Sequence, residues 1–146
     1  MLTLNYYLNA LGRCATLYRA EALNGTDVRA SDMSYLFYIC HHPGLSQDAL
    51  AHALYVNKTM ITRRITHLEE EGFLTRSTAA EDKRVLLVYP TQKALDTLPL
   101  LREINAAWHA ALTTGFTPEE SEQLMALLSR ALQNARVTVD GEGDDE

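Results

Sequence analysis

The stretch that most constrains this chain is residues 57–72, NKTMITRRITHLEEEG. Ile61, Ile65 and Leu68 recur at i, i+4 and i+7, which predicts a helix that buries one stripe and leaves its other faces to solvent. Asn57 is placed to cap its first turn and Gly72 to end it. The charges are sorted along the axis. Lys58, Arg63 and Arg64 come first with no acid among them, and Glu69, Glu70 and Glu71 follow as a block. That order runs against the helix dipole, which favours acids at the start and bases at the end. Stability alone does not call for it. A helix whose first half meets phosphates and base edges does.

The neighbours of this helix complete a known unit. Ser46 predicts the N-cap of a shorter preceding helix, with Ala49, Leu50, Ala53 and Leu54 on its apolar face and a turn at Tyr55-Val56. After Gly72, residues 73–76 and 85–89 read as two strands. The polar connector 77–84 between them ends in Lys83-Arg84. Helix, turn, helix and a hairpin with a basic edge make a winged helix. Base readout is expected from residues 58–64, and phosphate contacts from Ser46, Gln47, Lys83 and helix N-termini. The competing reading makes the helix cations a solvated face and Arg84 a strand-edge charge paired with Asp82.

The run LSQDALAHAL, NKTMITRRITHLEEEGF and EDKRVLLVYPT resembles the MarR family of multiple-antibiotic-resistance-type transcriptional regulators. The likeness is most specific in the second helix and in the wing, where Asp82-Lys83-Arg84 fits the family's Asp-x-Arg. Outside that core it rests on the order and length of helices. It implies a homodimer, a recognition helix in the major groove and a wing arginine in the minor groove. Carried over by position, Lys58, Thr59, Thr62, Arg63 and Arg64 would face the major groove. Arg84 would enter the minor groove, oriented by Asp82. One departure is that the connector holds no cation between Arg76 and Lys83.

The flanks read as helices. Leu4, Leu8, Leu11, Ala15, Tyr18 and Ala22 form one stripe, and Tyr6, Tyr7 and Leu17 add apolar surface beside it. Two apolar flanks need two partners, which points to another subunit. Ser31 is placed to cap an apolar helix at residues 33–41, stopped by His42-Pro43-Gly44. Thr91 opens a long helix in which Pro99 predicts a kink or break near residues 95–98. Gly115 closes it. Thr117-Pro118-Glu119-Glu120 then carries a capping box, and Leu124, Leu127, Leu128, Ala131, Leu132 and Ala135 form the last apolar face.

The expected fold is therefore mainly α with a small β wing. One domain, 1–146, contains a winged helix-turn-helix lobe at 31–90. Residues 1–30 with 91–138 form terminal dimerisation helices, and 139–146 a disordered acidic tail. Pairing of the terminal helices would set two recognition helices roughly 34–36 Å apart, so the operator should be a pseudo-palindrome.

The formal charge of −6 argues at first against nucleic acid, but five acids crowded into the last seven residues account for all but one of it. A local basic patch is what DNA requires. No run nears the ~18 apolar residues of a membrane span, and the start lacks a secretory leader, so a cytoplasmic protein is expected. Two cysteines fit a reducing compartment. Cys14, one turn from Tyr18, resembles the oxidant-sensing cysteine of some family members, with Cys40 as a second candidate; the alternative is that both are small apolar residues. The family also implies a phenolic or lipophilic effector, for which Tyr18, Tyr35, Phe37, Tyr38 and Trp108 could line a pocket, although aromatic spacing is more often core. The histidines show no metal-ligand spacing, and no phosphate loop or nucleophile-base pair suggests an enzyme or a cofactor. The expected function is a homodimeric, sequence-specific regulator that binds double-stranded DNA, a repressor rather than an activator. Its rival is a winged helix that binds a basic protein partner and no DNA.

Overall fold

The computed structural model describes residues 1–140. The helices are α1 (Leu4–Ala22), α2 (Met33–His41), α3 (Gln47–Ala53), α4 (Lys58–Glu70), α5 (Gln92–Leu112) and α6 (Pro118–Asp140), with a 3₁₀ turn at Ala30–Asp32. Three short strands, β1 (Leu45–Ser46), β2 (Leu74–Thr78) and β3 (Leu86–Pro90), form an antiparallel sheet in the order β1-β3-β2. The mainly α fold with a β wing is as expected. No described helix is long and apolar enough to cross a membrane.

The chain divides into two compact units, Met1–Trp108 and His109–Glu146. The core of the first gathers Leu36 and Ile39 of α2, Leu50 of α3, Ile61, Ile65 and Leu68 of α4, Phe73 and Leu74 at the start of the hairpin, Val88 of β3, and Ala94, Leu101 and Ile104 of α5. Ile61, Ile65 and Leu68 are each at most 1% exposed. Burial of such side chains is worth about 1.5–3 kcal/mol apiece, enough to fix the rotation of α4 about its axis. Asn57 caps that helix, its Oδ1 accepting from the Met60 amide at 2.8 Å. Gly72, at φ +80, ends it.

Several local expectations need correction. Ser31 does not cap α2; the 3₁₀ turn runs straight into that helix, and no side chain at its start accepts a capping bond. The hairpin strands begin one residue later than expected, and β1 pairs Leu45 with Val88 and Ser46 with Leu87 as a third strand. Ser46 nevertheless serves as N-cap of α3, accepting from the Ala49 amide at 3.1 Å. Of the kink or break expected at Pro99, the break is overturned, since α5 runs through it. The proline removes an amide from the turn that would bond the Leu95 carbonyl, but Pro99 and Leu95 are both exposed, so water can take the donor's place.

In the second unit, Gly115 at φ +84 closes α5. Thr117 and Glu120 then form the capping box, with the Glu120 amide donating to Thr117 Oγ1 at 3.2 Å and the Thr117 amide to Glu120 Oε2 at 2.8 Å. No residue of α6 is buried. The helix runs through Asp140, two residues into the tail expected to be disordered. The rest of that tail, 141–146, lies outside the described residues.

Gly44 gives a test of the fold. Its φ is +83, and a Cβ there would meet the Tyr89 ring at 3.1 Å, whereas Gly25, at φ +82, has open space. Both alanine variants carry the left-handed strain of about 1–2 kcal/mol, but Gly44→Ala must also displace a ring. Thermal unfolding should place Gly44→Ala below Gly25→Ala. Equal melting temperatures would remove the steric argument.

Candidate nucleic-acid interface

Helices α3 and α4 meet across a tight turn in which Tyr55 adopts φ +53 and the Val56 amide donates to the Ala51 carbonyl at 3.0 Å. With Ile61, Ile65 and Leu68 turned inward, the N-terminal half of α4 presents Lys58, Thr59, Met60, Thr62 and Arg63 to solvent. Lys58 lies 4.0 Å from Asp48 with both side chains more than three-quarters exposed, a contact too loose to fix either charge. Arg63 makes no hydrogen bond or ion pair among the described residues. Gln47 Nε2 donates to Thr62 Oγ1 at 3.0 Å, so the start of α3 and the outer row of α4 form one polar surface.

Arg64 is a correction. Expected to face the major groove, it turns back onto its own subunit, where Nη1 donates to Asp32 Oδ1 at 2.8 Å. Its guanidinium also lies 5.7 Å from the centre of the Tyr35 ring. Arg63 and Arg64 are adjacent, about 100° apart around the helix, and only the second finds a buried carboxylate.

The C-terminal end of α4 is tied down by cations from elsewhere in the chain. Arg76 of β2 donates through Nε to Glu69 Oε2 at 2.6 Å. Lys93 of α5 donates to the Glu71 carbonyl at 2.8 Å and to Asp27 Oδ2 at 2.9 Å, with its ammonium 4.5 Å from the Phe73 ring centre. A positive group at a helix C-terminus opposes the exposed carbonyl dipoles. The unfavourable charge order of α4 is thus offset by residues distant in sequence. Sequence reasoning missed Asp32, Arg76 and Lys93, since each acts through a partner on another element, and it missed Met60 as an exposed member of the outer row.

The wing carries the other cations. Its tip is closed by the Ala79 amide donating to the Val85 carbonyl at 2.9 Å and the Val85 amide to the Asp82 carbonyl at 3.0 Å. Arg84 donates to Asp82 three times: its amide to Oδ1 at 3.0 Å, Nε to Oδ1 at 3.1 Å and Nη2 to Oδ2 at 3.1 Å. The Arg84 side chain is 91% exposed, so the bonds aim it without burying it. These side-chain and then backbone donors hold the Asp82 carboxyl below its usual range. Lys83 is exposed beside it. Arg84 and the start of α3 share a small cavity of about 80 Å³, bordered by Ser46, Gln47 and Asp48.

Of the five aromatic residues expected to line an effector pocket, Tyr18 and Trp108 meet each other and the other three have other partners. Tyr18 stacks on Trp108 at 5.1 Å, Tyr38 on His42 at 4.3 Å, and Phe37 lies 6.4 Å from His41. Tyr35 is buried beneath Arg64 and borders a cavity of about 200 Å³ with Asn57, Thr59, Met60, Arg63 and Arg64. Of the two thiols, Cys14 is exposed on α1. Cys40 is half-buried, and burial pushes its pKa up despite the opposing charge of Arg102. A raised pKa works against the thiolate that oxidant sensing requires.

The MarR family model matches residues 29–86. The HTH-type transcriptional regulator YybA of Bacillus subtilis, itself described as uncharacterized, is 33% identical over 108 residues, covering 74% of this chain and 72% of its own. The HTH-type transcriptional regulator BilQ of Clostridium symbiosum is 26% identical over 128 residues, covering 88% and 89%. Among solved structures, a putative MarR family regulator from Listeria monocytogenes, complexed with a 26mer DNA, superposes with a TM-score of 0.86 over the full length of both chains at 22% identity.

The Asp82–Arg84 clamp gives a test by titration. A carboxyl with a lowered pKa keeps its charge, and its hold on Arg84, as pH falls through the ordinary aspartate range; the clamp is lost only below the lowered value. Carboxyl ¹³C NMR should show Asp82 titrating below an unperturbed aspartate and returning upward in Arg84→Gln. An unchanged midpoint in that variant would show that Arg84 is not the cause.

Proposed function

The chain belongs to the MarR family of transcriptional regulators, and from that premise we propose that it binds double-stranded DNA as a homodimer and represses transcription in the cytoplasm. The observation that carries the reading is the outward N-terminal half of α4, with Lys58, Thr59, Thr62 and an Arg63 unpaired among the described residues, beside a wing whose exposed Arg84 is aimed by Asp82. Donors of this kind read base edges in a major groove. Arg84, with a long side chain at the tip of a narrow hairpin, suits a minor groove. Solved relatives of this fold in DNA complexes, such as the Listeria monocytogenes protein, support the same reading.

The homodimer has its own support. On α1, Leu4, Tyr6, Tyr7, Leu8, Leu11 and Leu17 are all exposed. On α6, Met125, Leu127, Leu128, Leu132, Val137 and Val139 are exposed as well. Helices that leave so many large apolar side chains exposed are suited to a protein interface, and the second copy is the partner the family implies. Relief of repression by a small phenolic or lipophilic effector or by an oxidant belongs to the same proposal. Tyr35, at the edge of a cavity, and the exposed Cys14 are the residues that support it.

Selection of bound fragments from random duplexes should return a pseudo-palindrome, and binding should weaken steeply with salt. Arg63→Ala should relax preference at one position of each half-site by about 1–3 kcal/mol. Lys83→Ala should weaken binding to all sequences alike and lower the salt slope by about one. Identical behaviour of the two variants would sink this division of roles. A protein that ignores duplex DNA at every salt concentration would favour the protein-interaction reading. Sedimentation should report a dimer, and Leu11→Glu with Leu128→Glu should shift it to monomer.

A further inference from the structure

Asp32 is the buried charged side chain of the described residues, with no exposed surface. Both its oxygens are engaged. Oδ1 accepts from Arg64 Nη1 at 2.8 Å, and Oδ2 accepts from the Arg29 amide at 2.9 Å. His67, one turn after Arg64 on α4, brings Nε2 to 3.8 Å from Oδ2, too far for a hydrogen bond. The carboxylate therefore meets the reading helix at its midpoint from the turn that precedes α2.

We propose that Asp32 is a specificity-determining positioning residue: it holds Arg64 against the subunit's own core and so keeps one of the three cations of α4 off the DNA backbone. The inference rests on the DNA-binding reading above. A lysine or arginine on a phosphate adds affinity for every sequence equally and steepens the salt dependence, so each such contact raises non-specific binding. Arg64 cannot leave for a phosphate without stranding a fully buried carboxylate, which is more costly than the contact it would gain. Released, it has a path outward, because it already borders the cavity it shares with Asn57, Thr59, Met60 and Arg63. Arg63, the adjacent residue, has no such restraint among the described residues. Two neighbouring arginines are thereby divided between reading and anchoring.

The full-length chain tests this with Asp32→Asn, Arg64→Met and the double variant, by two measurements. Labelling with phenylglyoxal, mapped by mass spectrometry without DNA, should modify Arg63 and spare Arg64 in the unmodified sequence, and should reach Arg64 in Asp32→Asn. Titration of a duplex of unrelated sequence against salt should give Asp32→Asn a slope steeper by about one and a severalfold higher affinity at low salt. Adding Arg64→Met should return the slope to that of the starting protein. A variant that merely loosened the fold would weaken binding instead. Should Asp32→Asn fail to fold, the double variant, which removes both charges together, decides: an unchanged slope upholds the proposal, and one shallower by about one overturns it, because Arg64 would then already touch phosphate. Labelling of Arg64 as fast as Arg63 in the unmodified chain would also overturn it. Absence of any salt-dependent DNA binding with Arg64 still protected would place the failure in the DNA reading, and this inference would fall with it.

Discussion

The structure depends on the burial of a single stripe. Ile61, Ile65 and Leu68 are almost fully buried, in one core with residues of α2, α3, the hairpin and α5. A helix has about 3.6 residues per turn, so fixing those three positions fixes all the others. Thr59, Thr62 and Arg63 face outward because the remaining side of the cylinder is occupied. The stripe also sets what the helix can tolerate. With its apolar side committed to the core, its charges can be arranged for a partner, provided that other parts of the chain offset the cost.

That offset comes from three polar ties, each joining α4 to a different element. Arg64 reaches the turn before α2, Glu69 receives Arg76 from β2, and the Glu71 carbonyl receives Lys93 from α5. Two of them put positive charge at the end of the helix where its own sequence puts three acids. Taken as an isolated segment, α4 carries its charges against its own dipole. In the folded chain the imbalance is repaired by long-range contacts, while the N-terminal half keeps its exposed cations. The apolar contacts set the rotation of α4, and the ties hold its position along the axis.

What could be read in advance follows the range of the interactions involved. Capping at Ser46, Asn57 and the Thr117–Glu120 box, the buried stripe of α4 and the glycine stop at Gly72 all depend on residues within a turn or two, and all were legible. The bidentate hold of Asp82 on Arg84 was legible for the same reason. The division between Arg63 and Arg64 was not, because it depends on a carboxylate 32 positions away whose burial only the fold reveals. Strand β1 is two residues long, below the length at which alternation can show. Phe37 leaves the helix face that Tyr35 and Tyr38 share, and even those two have different partners, Arg64, which the fold brings from α4, and His42.

The overall charge of −6 acquires a physical sense in the proposed role. A regulator must find a few sites among a great excess of unrelated duplex, so its useful quantity is the ratio of specific to non-specific binding. Each added cation raises the denominator as well as the numerator. Outside its last seven residues the chain is close to neutral, so the outward cations of its proposed reading surface, Lys58, Arg63 and the Lys83-Arg84 wing edge, give that surface a local attraction for DNA without a large positive charge on the chain as a whole. Restraining Arg64 follows the same logic at the scale of a single side chain. The acidity that first argues against nucleic acid is then compatible with a surface that discriminates through a few placed cations.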